Sequence, residues 1–419
     1  MKQGGLPKSG KALEAALRAR YEAALALHGK GELDAAEAIY RQILERMPKS
    51  FHALHMLGVL VGQRDDMAQS ERLLARAIRV DPKVAAAHAH LGHALRLSER
   101  IDEAMASYER ALRLQPDNAR ALKGRGLILW RKGRREEALA CYEHLLRVEP
   151  HYADGWIMKG AALDTLGRSA EAEASYRRAL ECDNVTHPDK IRYVLAALGA
   201  EPVPAASPLE YVRDLFDKYA VHFDAHLVGE LKYHAPELLA AQVRPLLPAA
   251  AIDVLDLGCG TGLCGPLLKP WSRSLTGIDV SKKMLAAAAG KQVYDHLVEA
   301  EIQAYLATQK ECFDLIVATD VFIYIGDLSA VFSGAYGALR PGGLFAFSTE
   351  VGAGSDMQLQ RSLRYAHPAS YLQGLAAASG WHVESMTQQA LREEGQQAVP
   401  GHLTVLRRLA DAPASQGAA

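Results

Sequence analysis

Along the first half of the chain apolar positions recur at helical spacing, and the pattern itself repeats every 34 residues. Pro48, Pro82, Pro116 and Pro150 stand one period apart. Each ends a helical stretch, because proline cannot donate the interior hydrogen bond. Every unit carries a small residue midway through its second helix (Ala36, Ser70, Ala104, Ala138, Ala172) and a bulky one four positions later (Tyr40, Leu74, Tyr108, Tyr142, Tyr176). A glycine recurs in the first helix (Gly58, Gly92, Gly126, Gly160), and Gly31, Asp65, Gly133 and Gly167 mark the reversals between helices. One helix pair cannot bury its own apolar face, so the five units of residues 17–186 are expected to stack. Residues 187–200 read as a capping helix closing an array over 17–200, and residues 1–16 as an N-terminal tail or helix.

The grammar changes after residues 201–208 (EPVPAASP), whose prolines and small residues mark a linker. Short apolar runs (IDVLDL, SLTGIDV, FDLIVATD, GLFAFST) now alternate with helical stretches. That alternation predicts a parallel sheet covered by helices on both faces, over residues 209–410. Two later runs, around WHVESM and HLTVLRR, follow each other without a clear helix between, so the last strand is expected to return antiparallel. Residues 411–419 read as a flexible tail.

Composition narrows the classes. An apolar fraction of 49% and a charged fraction of 23% exclude collagen-like and wholly disordered chains. No apolar run is long enough for a membrane span, and Met1–Gly10 has no secretory apolar stretch, so no membrane association is expected. The net charge of −1 hides an asymmetry: residues 1–200 hold 32 Lys+Arg against 26 Asp+Glu, and residues 201–419 hold 16 against 23. Neither excess is the concentrated basic footprint of a nucleic-acid binder. The five cysteines form no CxxC pair, which fits a reduced, cytoplasmic setting and no metal site.

The segment with chemistry is Val254–Gly262, VLDLGCGTG. An apolar strand leads through Asp256 into a turn built on Gly258, Gly260 and Gly262, which let the backbone approach a ligand. The spacing is GxGxG, not GxGxxG, and a carboxylate two residues ahead suits an ammonium group better than a pyrophosphate.

The first half resembles the tetratricopeptide repeat, and the second resembles the class I S-adenosylmethionine-dependent methyltransferases. Together they imply an all-α solenoid followed by an α/β Rossmann-like domain with a mostly parallel seven-stranded sheet. The methyltransferase resemblance implies S-adenosylmethionine as cofactor. It implies that Asp256, Gly258, Cys259 and Gly260 bind the cofactor at the turn, with Asp279 on the ribose hydroxyls. It places Val280, Met284, Glu301 and Ile302 around the adenine, and Asp320 near the donor methyl. Cys259 reads as a filler of the turn, since methyl transfer needs no thiol nucleophile.

For the acceptor, the stretch RSLRYAHPASYL offers Arg361, Arg364, Tyr365, His367 and Tyr371. His367 titrates near neutrality by type and is the expected general base, with Tyr365 and Tyr219 beside the acceptor. The helix YVRDLFDKYAVHFDAHLVGELKY, with Tyr211, Phe216, Tyr219, His222, Phe223 and Tyr233, reads either as a lid or as a docking helix. In the usual repeat geometry His52, His55, His93, Arg96, Arg120, Lys123, Trp130 and Arg131 line the inner face. That face would suit an acidic or extended peptide or protein partner. Two alternatives stand beside recruitment: an array that only dimerises, and an interaction scaffold whose cofactor domain is catalytically silent.

Overall fold

A computed structural model describes residues 10–395 and 397–409, and the contacts divide the chain between Thr186 and His187. The first unit is a run of antiparallel helix pairs: α1 (Gly10–Gly29) with α2 (Leu33–Arg46), α3 (Phe51–Gln63) with α4 (Met67–Val80), α5 (Ala85–Leu97) with α6 (Ile101–Leu114), α7 (Ala119–Arg131) with α8 (Arg135–Val148), and α9 (Ala153–Thr165) with α10 (Ser169–Leu180). The recurrent glycines explain how each pair closes. A Cβ on Gly92, Gly126 or Gly160 would lie 2.9, 2.5 or 2.9 Å from the ring of Tyr108, Tyr142 or Tyr176, and one on Gly58 would lie 2.9 Å from Leu74. Glycine on the first helix is therefore the socket for the bulky residue of the second. Tyr40, Tyr108 and Tyr142 are fully buried, each worth about 1.5–3 kcal/mol of apolar burial.

The reversal inside each pair needs one residue in the left-handed region. Gly31, Asp65, Gly133 and Gly167 supply it at φ of 79°, 61°, 75° and 75°, and Glu99, at 60°, occupies the same place in the third unit. Pairing thins the charge expected on the first-helix face. Lys123 meets Asp154 at 3.4 Å and also the Tyr152 hydroxyl, Arg131 pairs with Glu99, and Trp130 is covered by Arg135. Arg96 and Arg120 have no carboxylate partner among the described residues. His55 Nε2 lies 2.8 Å from His90 Nδ1, and burial pushes the two imidazoles down to about 4 and about 3.

The second unit begins earlier than the sequence implied. Helix α11 (Pro188–Ala197), expected to cap the array, belongs to it: the Tyr193 hydroxyl bonds Ser207 Oγ at 2.7 Å and donates to the Leu363 carbonyl at 2.9 Å. The stretch 201–208, expected as a linker, is fastened to the same unit. Gly326 and Asp327 donate their amides to the Ala205 carbonyl at 2.8 Å, and Ser207 donates to the Tyr324 carbonyl at 2.9 Å. Prolines and small residues here mark an extended segment lying on the fold rather than a free joint.

After α12 (Leu209–Tyr219), a π-helix (Ala225–Glu230) and α13 (Ala235–Val243), strands and helices alternate. They run β1 (Ile252–Leu257), α14 (Gly265–Leu268), β2 (Ser272–Asp279), α15 (Lys282–Gly290), β3 (His296–Glu299), α16 (Ile302–Ala307), β4 (Phe313–Ala318), α17 (Ser329–Ala338) and β5 (Leu339–Val351). Then come β6 (Gln358–Leu359), β7 (Tyr365–His367), α18 (Ala369–Ala378), β8 (Trp381–Glu394) and β9 (Gln397–Arg408). The sheet runs β3-β2-β1-β4-β5 in parallel, and β9 returns antiparallel between β5 and β8. Among the described residues it holds nine strands rather than seven, because the short β7 and β6 add on where β5 outruns β4. Apolar clusters cover both faces, one around Phe322, Phe332, Phe345 and Phe347, the other around Val254, Leu275, Leu315 and Val405. The carboxyl ends of β1, β2 and β4 therefore open to one edge, where ligands of open α/β sheets bind.

Candidate active site

A cavity of about 540 Å³ lies at that edge. Its floor is the turn after β1, where Gly258, Gly260 and Gly262 have φ of 63°, 54° and 84°. A side chain on Gly258 would bring a Cβ to 2.4 Å from Val321, and one on Gly262 to 2.8 Å from Tyr294, so the turn is restricted to glycine by both backbone and space. Asp279 closes the turn from the end of β2: its carboxylate accepts the Gly260 amide at 3.0 Å and the Ser281 amide at 2.8 Å. Burial raises its pKa above the usual carboxylate range, and those amides oppose the rise. Ser281 caps α15 by accepting the Met284 amide at 3.1 Å, and its hydroxyl donates to Asp217 of α12 at 2.5 Å.

Gly258, Cys259, Gly260, Asp279, Val280, Glu301, Ile302, Asp320 and Tyr219 all line this cavity. Glu301 spends one oxygen capping α16, at 2.8 Å from the Ala304 amide. The amide of Ile302, in the first turn of that helix, has no intrahelical acceptor and is free for a ligand. The Cys259 thiol is pushed far up by burial, which suits a filler and not a nucleophile.

Four expected residues are elsewhere. Asp256 is 1% exposed and lies behind the turn, accepting the Tyr294 hydroxyl at 2.6 Å; burial pushes its carboxyl up to about 7. Met284 is fully buried and does not line the cavity. His367 and Tyr365 are also fully buried, because β7 joins the sheet beside β5 instead of looping over the cavity. His367 Nε2 lies 3.0 Å from the Gly326 carbonyl, burial lowers its pKa to about 4, and the Tyr365 hydroxyl donates to the Pro204 carbonyl at 2.8 Å. Tyr371 is spent on the Leu328 amide at 3.0 Å, whereas Arg364 does reach the cavity.

The aromatic segment forms the roof. Phe216, Tyr219, Phe223, His226 and Tyr233 line the cavity; His222 and Tyr211 do not, and Tyr211 packs on Tyr193 instead. Asp224 ties the roof to the floor, accepting the Thr261 hydroxyl and Lys291 Nζ, the latter at 2.8 Å.

An ion network at the far wall has no local signature in the sequence. Arg392 of β8, 3% exposed, holds both oxygens of Asp320 through Nη1 at 2.7 and 2.9 Å. It also holds Glu350 through Nη2 and Glu394 through Nε, the latter at 2.9 Å. Asp320 sits at φ 57°, a left-handed conformation costly for a non-glycine residue, and this clamp together with the Ser348 hydroxyl on its amide at 2.8 Å holds it there.

Comparison with known proteins places this arrangement. A methyltransferase-domain family matches residues 255–347, and tetratricopeptide-repeat families match residues 17–50, 92–133 and 123–185. The malonyl-[acyl-carrier protein] O-methyltransferase of Enterobacter lignolyticus is 33% identical over 135 residues, 32% of this chain and 51% of that protein. The protein of that name from Salmonella typhimurium is 30% identical over 183 residues, 41% of this chain and 70% of its own length. The chain thus spans about half the length of the first relative. Magnesium protoporphyrin IX methyltransferase from Synechocystis, solved with bound S-adenosylhomocysteine, is 15% identical with a TM-score of 0.39, covering 48% of this chain and 99% of its own. The chain belongs to the S-adenosylmethionine-dependent methyltransferases. Ahead of that domain it carries tetratricopeptide repeats.

The site fits the family's cofactor. Asp279 and Ile302 both line the cavity, and their carboxylate lone pairs and backbone amide are the groups that would hold the ribose hydroxyls and the adenine edge. Asp256, sealed behind Tyr294, does not line the cavity.

Proposed function

We propose that this chain transfers a methyl group from S-adenosylmethionine to an acceptor oxygen held under α12 and the π-helix, and that its repeats recruit the protein or peptide bearing that acceptor. The observation that carries the first half is the Asp279 carboxylate, fixed by two backbone amides at the edge of a cavity with glycine floor and aromatic roof. The cofactor supplies an already activated methyl on a sulfonium, so the protein's task is proximity and alignment. Asp279 orients the ribose side, the Arg392 clamp fixes Asp320, and Phe216, Tyr219 and Phe223 exclude water. The named relatives support an oxygen acceptor and one carried on a protein. Arg96 and Arg120, on successive first helices and unpaired with carboxylate among the described residues, favour an acidic partner by charge complementarity.

Calorimetry with S-adenosylmethionine tests the reading. The full chain is expected to bind, and Asp279→Ala to lose about 2–4 kcal/mol of that affinity with its circular dichroism unchanged. Equal affinity in a folded variant would remove the central claim.

A further inference from the structure

We propose that the charge of the repeat array's inner face is gathered at one place, Arg96 of α5 with Arg120 of α7, and that this pair takes a phosphomonoester carried by the partner protein. The proposal rests on the recruitment reading and deepens it by naming the group that is gripped.

The neighbouring charge is spent or absent. Lys123 meets Asp154 at 3.4 Å, Arg131 pairs with Glu99, and Lys132 meets Asp102 at 2.6 Å. His55 and His90 bond each other at 2.8 Å, and burial pushes them down to about 4 and about 3, so neither carries charge at neutral pH. Arg96 and Arg120 keep their charge and have no carboxylate partner among the described residues. Arg120 is exposed and Arg96 half-buried, so a ligand can reach both.

The packing of Tyr108 brings the two arginines to one seam. Its ring runs from one first helix to the next: a Cβ on Gly92 of α5 would lie 2.9 Å from it, and one on Gly124 of α7 would lie 2.5 Å from its hydroxyl oxygen. Arg96 follows Gly92 by about one helical turn, and Arg120 precedes Gly124 by about one. Both charges are felt at the same two groups. At the Tyr108 hydroxyl they oppose the rise that burial gives it, and at half-buried His93 they add to burial in lowering the imidazole. Lys123 pushes His93 the same way, and no acid relieves it. A guanidinium only donates, so the seam calls for acceptor oxygens and for two negative charges. One carboxylate brings a single charge to two cations. A phosphomonoester brings about 1.5–2 charges and three acceptor oxygens in one group, and arginine meets it with parallel N–H donors.

The test titrates the full chain into three fluorescein-labelled peptides of glycine and alanine, one carrying a central serine, one a central phosphoserine and one two aspartates. By fluorescence anisotropy the phosphoserine peptide is expected to bind at least about ten-fold more tightly than the two-aspartate peptide, and the serine peptide most weakly. Arg96→Gln and Arg120→Gln are each expected to weaken the phosphopeptide at least about ten-fold. Arg131→Gln, whose cation is already held by Glu99, is expected to leave it unchanged. Should Arg96→Gln fail to fold, the exposed Arg120→Gln decides. Unchanged phosphopeptide affinity in Arg120→Gln, or an equal loss in Arg131→Gln, would overturn the assigned site. Equal or tighter binding of the two-aspartate peptide would overturn the phosphomonoester and leave recruitment of an acidic partner standing. Binding of no peptide would bring down both.

Discussion

With no exposure, its ring against Tyr371 of α18 and its Nε2 on the Gly326 carbonyl, His367 is a neutral imidazole of the core. Its pKa falls from an ordinary value near 6.5 to about 4, chiefly through burial, with the nearby His402 opposing protonation in the same direction. A base depressed on folding contributes stability above the unfolded pKa and loses it as pH falls toward the folded one. The stability of the unit His187–Ala419 is therefore expected to decline between pH 6.5 and about 4. His367→Gln is expected to lessen that decline, measured by thermal melting across the range. An unchanged acid slope would refute this account. The glycine turn and Asp279 were legible in the sequence because one strand–turn–helix places them within a few residues of each other or at the next strand's end. Arg392 was not, because its partner Asp320 lies 72 positions away and no local pattern joins them. Asp256 misled for a related reason: the residue that seals it, Tyr294, comes 38 positions later.

At the scale of elements, the helices of the array were readable from periodicity alone, and so were their reversals, except where Glu99 fills a place given to glycine or aspartate in other units. A non-glycine residue at φ 60° carries a backbone cost that glycine avoids. Glu99→Gly is expected to stabilise the array by about 0.5–1 kcal/mol, read as a raised denaturant midpoint, less the small worth of its exposed pair with Arg131. A lowered midpoint would show that this pair outweighs the strain. The antiparallel return of β9 was also legible, from two apolar runs without a helix between. The two added strands were not. β7 has three residues and β6 two, too short to show a period.

For the molecule as a whole, the boundary at Thr186–His187 changes where the chain should be cut. Residues 187–419 retain α11 and the strap 201–208, whose bonds to Tyr324, Gly326, Asp327 and Tyr365 fasten it to the cofactor fold. That piece is expected to bind S-adenosylmethionine as tightly as the full chain. A piece starting at residue 209 is expected to melt lower, since it loses the Tyr193 and Ala205 hydrogen bonds. Equal melting of the two pieces would return the strap to the status of a free joint.

The glycine sockets of the array have a different kind of consequence. Because the same contact recurs every 34 residues, from Gly92 with Tyr108 to Gly126 with Tyr142 to Gly160 with Tyr176, each unit closes on itself by the same fitting. Such an array lengthens or shortens in whole units, like carriages on a train. A gene duplication or loss of about 102 nucleotides, or of a whole multiple of that length, keeps every tyrosine with its glycine socket, while one that is not a multiple breaks a pair.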